Sequence, residues 1–265
     1  MLLADLNPLG RFFCDFHYDT YPAIDSVTKS NLKGRSVFIT GASRGIGHAT
    51  AISYAKAGAS QIALGARSDL SSLEAEMFSA AKAAGKPEPK ILRINLDVQS
   101  RQSVENAARE TEKAFGGLDI LVNNAGYLEN STKLLDSDLD EYWKTWEINY
   151  RGVYWVTKAF LPMLIKTKGG LQTIVNVSSI AAHGLRPGGS SYQTSKNALL
   201  RFTEFLCSDY ADKGILAYAV HPGGVMTELG SRMPEETHKG EPAFSCFYRS
   251  GYLLFSSDRQ TGVGG

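Results

Sequence analysis

Residues 36–47 read SVFITGASRGIG, and the fold follows from them. Ser36 to Thr40 is a short run of β-branched and aromatic residues, the composition of a buried strand. Gly41, Gly45 and Gly47 then punctuate a turn, and an apolar helical pattern opens at Ile46 and runs to Ala57. A glycine turn between a strand and a helix lets backbone approach a ligand closely. The helix start adds free N–H groups and the positive end of its dipole, which together suit a phosphate. The spacing here is Gly-x-x-x-Gly-x-Gly rather than Gly-x-Gly-x-x-Gly, so the strand before and the helix after carry the reading. Gly41, Ser43, Arg44, Gly45, Ile46 and Gly47 are the candidate cradle.

Working outward, the same alternation repeats. Further strands are expected at Gln61–Ala66, Ile91–Asn95, Ile120–Asn123, Thr173–Val177 and Leu216–Val220. Helices are expected over Leu70–Ala84, Arg101–Phe115, Asp138 to about Thr167, and Ser191–Lys213. Pro162 should mark a kink or restart in the third of these. Apolar runs this short, separated by helices, imply parallel strands buried on both faces. Right-handed crossovers then give an α/β, doubly wound parallel sheet of the Rossmann type. No repeat or low-complexity linker divides the chain, so residues 34–265 form one domain behind an arm at 1–33.

Composition narrows the function. The 265 residues are 43% hydrophobic and 21% charged, which is enough to bury a large core. A net charge of +1 supplies no field for nucleic acid or an anionic membrane. No apolar run reaches the roughly 20 residues of a membrane span. Asp5 and the lack of a basic start argue against a signal peptide, so the cytoplasm is expected. Cys14, Cys207 and Cys246 are odd in number and widely spaced, which fits a reducing compartment. The five histidines form no ligand cluster, and no metal is expected.

The chemistry centres on SYQTSK, residues 191–196. Tyr192 and Lys196 are four apart, which stacks them on one helix face. A phenol with a reference pKa near ~10 is a poor base at neutral pH, and an ammonium one turn away favours its phenolate. Such a pair suits carbonyl reduction or alcohol oxidation. At the end of the second strand, where NAD enzymes commonly carry an acid, stand Ala66, Arg67 and Ser68. With Arg44 nearby, two guanidiniums suit the 2′-phosphate of NADP(H) better than NAD(H). Asp97 and Val98 end the third strand; Asp97 could accept from an adenine amine or begin the next helix as a cap. Asn124, Ala125 and Gly126 end the fourth, leaving room for a cofactor, and the asparagines could bridge strands. Ser179 follows the fifth strand, so Ser179, Asn124 and Gly41 should converge on one sheet edge.

These pieces resemble the short-chain dehydrogenase/reductase family. TGASRGIG at Thr40, NLDV at Asn95, NNAG at Asn123, Asn149, NVSS ending at Ser179, YQTSK at Tyr192 and HPGGVMT at His221 occur in the family's order and spacing, from about Lys33 to about Glu236. Among members, the chain is most similar to fungal-type NADPH-dependent ketoreductases of secondary metabolism. The resemblance implies a catalytic tetrad of Asn149, Ser179, Tyr192 and Lys196. Tyr192 would pass a proton, Lys196 would lower its pKa and hold the nicotinamide ribose, and Ser179, favoured over Ser178 by the family spacing, would bind the carbonyl oxygen. Asn149 would hold a water. Pro222, Gly223, Val225 and Thr227 would line the nicotinamide amide and phosphate. A homodimer or homotetramer is also implied.

Two ends stay open to alternatives. The aromatic arm, with Phe12, Phe13, Phe16, Tyr18 and Tyr21, packs on its own domain or reaches a partner subunit or the site mouth. A lid over about 227–252, rich in Leu229, Met233, Phe244, Phe247, Tyr248 and Tyr252, forms with His183, Leu185 and Arg186 a pocket for a hydrophobic cyclic or polyketide-like carbonyl, or makes core and subunit contacts. The ending SSDRQTGVGG, residues 256–265, departs from the family pattern, which puts its seventh strand in doubt. The competing functions are an alcohol dehydrogenase working oxidatively and a non-catalytic dinucleotide-binding homologue.

Overall fold

The computed structural model describes residues 22–223, 225 and 227–232. The arm through Tyr21, the lid beyond residue 232 and the altered seventh strand lie outside the described residues. Among the described residues six strands form one parallel sheet: β1 (Ser36–Thr40), β2 (Gln61–Ala66), β3 (Lys90–Asn95), β4 (Ile120–Asn123), β5 (Thr173–Val177) and β6 (Leu216–Val220). Their spatial order is β3-β2-β1-β4-β5-β6, so the winding reverses between β1 and β4. Six helices connect them: α1 (Gly45–Lys56), α2 (Ser71–Ala83), α3 (Arg101–Phe115), α4 (Leu139–Trp146), α5 (Val153–Lys166) and α6 (Ser190–Tyr210). This is the doubly wound α/β architecture that the alternation predicts.

Successive strand residues point to opposite faces, and the core divides accordingly. Phe38, Ala63, Leu121 and Ile174 pack with Val104 of α3, Phe160 of α5 and Leu206 of α6. Val37, Ile39, Ile62, Leu64 and Val122 pack with Ala51 of α1 and Leu73 and Met77 of α2. The register sets Phe38 beside Ala63 and Leu121, and Leu121 beside Ile174, so each layer is a continuous apolar row. Phe38 and Phe160 meet with ring centroids 4.2 Å apart.

Two expectations need correction. Burial on both faces holds for β1 and β4, but β3 and β6 are partly exposed, with Tyr218 48% accessible. Each lies at a sheet edge and is paired with a neighbour on one side only among the described residues. The long helix expected from Asp138 winds without interruption to Lys166, but it widens to a π-helix at Glu147–Gly152, and Pro162 does not restart it, lying inside α5. A π turn takes one more residue than an α turn, so the helix widens at Glu147–Gly152 without ending.

At the edge opposite the glycine turn, Asp119 ties the strand starts together. Its carboxylate accepts from the Ser36 N–H (2.8 Å), the Leu171 N–H (3.2 Å) and the Arg35 guanidinium (2.9 Å). Asp119→Ala would leave these donors without their acceptor. It should lower the unfolding free energy by about 3 kcal/mol in urea titrations. A loss below about 1 kcal/mol would show that water replaces the carboxylate.

Candidate active site

The glycine turn is built against the loop after β4. The Thr40 hydroxyl accepts from the N–H groups of Asn124 (2.9 Å) and Ala125 (3.0 Å). In return the Asn124 side chain donates to the carbonyls of Thr40 (2.9 Å) and Gly41 (3.0 Å). The packing is close enough to require glycine at position 47. A Cβ there would stand 2.3 Å from the Gly41 oxygen and 2.5 Å from Asn124 Nδ2. The start of α1 lacks a side-chain cap and has no acid in its first turn. By contrast, Ser100 caps α3 and Asp138 caps α4. The open N–H groups of α1 therefore fit a phosphate, as the sequence suggests.

The other cofactor candidates gather at the same edge. Ala42 N–H donates to the Gly65 carbonyl (3.2 Å), which brings the turn to the end of β2, where Arg67 and Ser68 are exposed. Arg44 is exposed and ion-pairs with Glu228. The Asp97 carboxylate accepts from Gln99 N–H (3.0 Å) in a local turn, while Ser100 is the cap of α3. Asp97 is thus not that helix's cap. Val98 is buried and packs against Gly152 of the π-helix. Beyond β6, Thr227 approaches Gly45: a Cβ on that glycine would lie 3.1 Å from the threonine methyl. Pro222 and Val225 join Gly45 and Ile46 in lining a cavity of about 370 Å³ that runs along α1 as far as Ala57. Gly223 takes a positive φ of 87° there, and Ser43 is half-buried within the glycine turn.

Next to this edge the four candidate catalytic residues come together. Tyr192 and Lys196 are buried on one face of α6, with the ammonium nitrogen 5.8 Å from the phenol centroid. Lys196 Nζ donates to the Val177 carbonyl (2.7 Å). The Ser179 hydroxyl accepts from the Ala181 N–H (3.1 Å) and stands near enough to the Tyr192 phenol to draw its pKa down. Ser178, the competing serine, turns away and donates to the Lys196 carbonyl (3.2 Å), which holds β5 to α6. Asn149 lies in the π-helix. Its Oδ1 accepts from Tyr127 N–H (2.8 Å), and its Nδ2 donates to the Tyr127 carbonyl (2.9 Å) and to Ser195 Oγ (3.1 Å). Gly126 sits between them: a Cβ there would be 3.5 Å from Asn149 Oδ1 and 3.9 Å from Lys196 Nζ.

The electrostatics differ from the simple picture of a lysine lowering a phenol. Burial pushes the Lys196 ammonium down to about 8. Burial also raises the Tyr192 phenol; the Ser179 hydroxyl works against that rise and the Glu129 charge adds to it. Low-dielectric surroundings disfavour both charged forms: the Tyr192 phenol stays neutral, and the Lys196 ammonium is brought nearer its titration point while still carrying its charge at neutral pH.

Sequence reasoning missed several groups. Thr40 and Ser195 lie within the quoted motifs, but their hydroxyls carry no signal separate from helix or strand composition. Glu129 is buried and was not singled out; an acid three residues beyond the small Asn-Ala-Gly loop is the trace it leaves. Among the described residues no group of His, Cys, Asp and Glu could hold a metal ion, and no helix is long and apolar enough to cross a membrane.

Known proteins are similar to this chain in sequence and fold. A family model described as short chain dehydrogenase matches residues 35–238. The short chain dehydrogenase mpl6 of Monascus purpureus is 53% identical over 221 residues, covering 83% of this chain and 75% of the relative. An alcohol dehydrogenase from the archaeon Thermococcus sibiricus, solved in complex with 5-hydroxy-NADP, is 32% identical with a TM-score of 0.64; 76% of this chain and 80% of that one are covered. The NADH-dependent reductase A1-R′, complexed with NAD, is 28% identical with a TM-score of 0.65, covering 72% of this chain and 79% of that one.

The depressed Lys196 pKa has a measurable consequence. Between about 8 and the unfolded lysine value of ~10.4, the unfolded chain holds a proton that the folded chain has released, so folding gains stability as pH rises. Comparing the wild type with Lys196→Met in denaturant titrations, the difference in unfolding free energy should move in favour of the wild type by about 2 kcal/mol between pH 7 and pH 9.5. A flat difference would mean that Lys196 keeps its proton in the folded protein.

Proposed function

The chain belongs to the short-chain dehydrogenase/reductase family, and from that premise we propose that it is an NADP(H)-dependent oxidoreductase that reduces a ketone on a hydrophobic cyclic or polyketide-like compound. The observation that carries this reading is the convergence of Tyr192, Ser179, Lys196 and Asn149 beside the uncapped start of α1. Bound NADP(H) supplies the hydride.

Gly41, Gly45 and Gly47 admit the pyrophosphate, and the N–H groups of α1 bind it. The Arg67 and Arg44 guanidiniums favour a 2′-phosphate, for which Arg44 exchanges its Glu228 partner. Small residues at Ala125 and Gly126, with Pro222, Gly223, Val225 and Thr227 opposite, border the nicotinamide. Ser179 orients the carbonyl oxygen and stabilises the developing alkoxide. The Tyr192 O–H gives that oxygen its proton. Lys196, with one hydrogen on Val177 O, keeps the others for the ribose hydroxyls and favours the phenolate once Tyr192 has lost its proton. Both amide hydrogens of Asn149 are engaged, so a water could reach only the second lone pair of Oδ1. Asn149 serves first to hold the π-helix against Tyr127. An apolar substrate is supported by Leu185, 78% exposed on the segment before α6.

Tyr192→Phe should lower kcat for ketone reduction by about 10²- to 10⁴-fold and leave the NADPH dissociation constant within about threefold. Near wild-type turnover would remove Tyr192 from the chemistry. Arg67→Asp should weaken NADPH by at least about tenfold while NADH changes little, a difference of about 1.4 kcal/mol. Equal losses for the two cofactors would refute the phosphate assignment.

A further inference from the structure

Helix α6 starts without a cap of its own. Gly189 occupies the N-cap position and offers no side chain, so the first-turn N–H groups need acceptors from elsewhere. Glu129, 63 residues earlier on the loop after β4, supplies one: its Oε1 accepts from the Tyr192 backbone N–H (3.1 Å). The other oxygen, Oε2, accepts from the Thr145 hydroxyl (2.7 Å). Glu129 is 9% exposed and Thr145 fully buried. A carboxylate is costly to bury unless all its partners are in place, and here it receives a backbone donor, a hydroxyl and the positive end of a helix dipole. Thr145 is on α4, one turn before Asn149. The Ser191 hydroxyl adds a second link between α6 and α4 by donating to the Tyr142 carbonyl (2.7 Å).

We propose that Glu129 is a positioning residue for Tyr192, clamping the first turn of α6 to α4 and to the β4 loop so that the phenol stands at a fixed height over the substrate oxygen. Its bond falls on the backbone of the catalytic residue itself, not on a neighbour. A movement of one turn's start would therefore displace the Tyr192 oxygen directly. Displacements near 1 Å cost up to about 10²-fold in rate. Glu129 touches neither substrate nor reacting atoms, and its effect passes entirely through Tyr192. The inference rests on Tyr192 as the proton donor.

The test is a double-mutant cycle on the full chain, with NADPH-dependent ketone reduction and NADPH binding measured separately. Glu129→Ala should lower kcat by about 10- to 100-fold with little change in NADPH affinity. Glu129→Gln, which keeps an oxygen for the Tyr192 N–H, should recover most of that loss. Glu129→Ala added to Tyr192→Phe should cost no further rate beyond the residual turnover of Tyr192→Phe. If Glu129→Gln, which preserves size, is as slow as Glu129→Ala, or if the two losses multiply, the positioning role is overturned. Tyr192→Phe alone decides the underlying reading, because retained turnover in that variant would refute Tyr192 whatever Glu129 does.

Discussion

The whole site depends on a seam of hydrogen bonds between β1 and β4. Thr40 receives two backbone donors from the β4 loop, and Asn124 returns its amide to the Thr40 and Gly41 carbonyls. Each such bond contributes only about 1 kcal/mol net, but a buried group left unpaired costs more, so the four are held as a set. The seam crosses the point where the strand order reverses. Helices diverge to opposite faces there and leave a crevice at the carboxyl ends of the strands. Because Gly47 has no Cβ, α1 starts directly on this seam. A ligand bound at the helix start is thereby brought beside the strands that carry Gly126 and Ser179.

The opposite wall of the crevice is α6, and its chemistry follows from burial. Lys196 would be an ordinary ammonium at the surface. Enclosed by β5 and the β4 loop, it is pushed down to about 8, and the same enclosure raises the phenol of Tyr192. A neutral phenol near a lysine close to its own titration point is suited to proton transfer in either direction. Ser178 and Ser179 divide the remaining work by pointing different ways: one secures the helix backbone, the other meets the phenol.

Much of this was legible in the residues. The strand positions came through because short apolar runs between helices have few other solutions, and β1, β2, β4, β5 and β6 match the expected ranges. The site motifs were legible because Tyr192 and Lys196 share a helix face and Ser179, Asn124 and Gly41 end strands of one parallel sheet. What stayed hidden depended on long-range contacts. The π-helix at Glu147–Gly152 contains no proline and breaks no periodicity that a single sequence displays; Val98 and Tyr127 hold it from other elements. Glu129 resembles any loop acid until Tyr192 and Thr145 are folded against it. The exposure of β3 and β6 follows from the strand order, which composition does not specify.

The central claim is that this crevice is an NADP(H) site beside a proton-transfer tyrosine. It is tested most directly by measuring the dissociation constants of NADPH and NADH for the unmodified protein by titration calorimetry in one buffer. The account predicts NADPH binding tighter by at least about tenfold, a gap of about 1.4 kcal/mol from the charge-assisted contacts of Arg67 and Arg44. Equal or tighter binding of NADH would contradict the phosphate assignment, and failure to bind either would contradict the reading of the crevice itself.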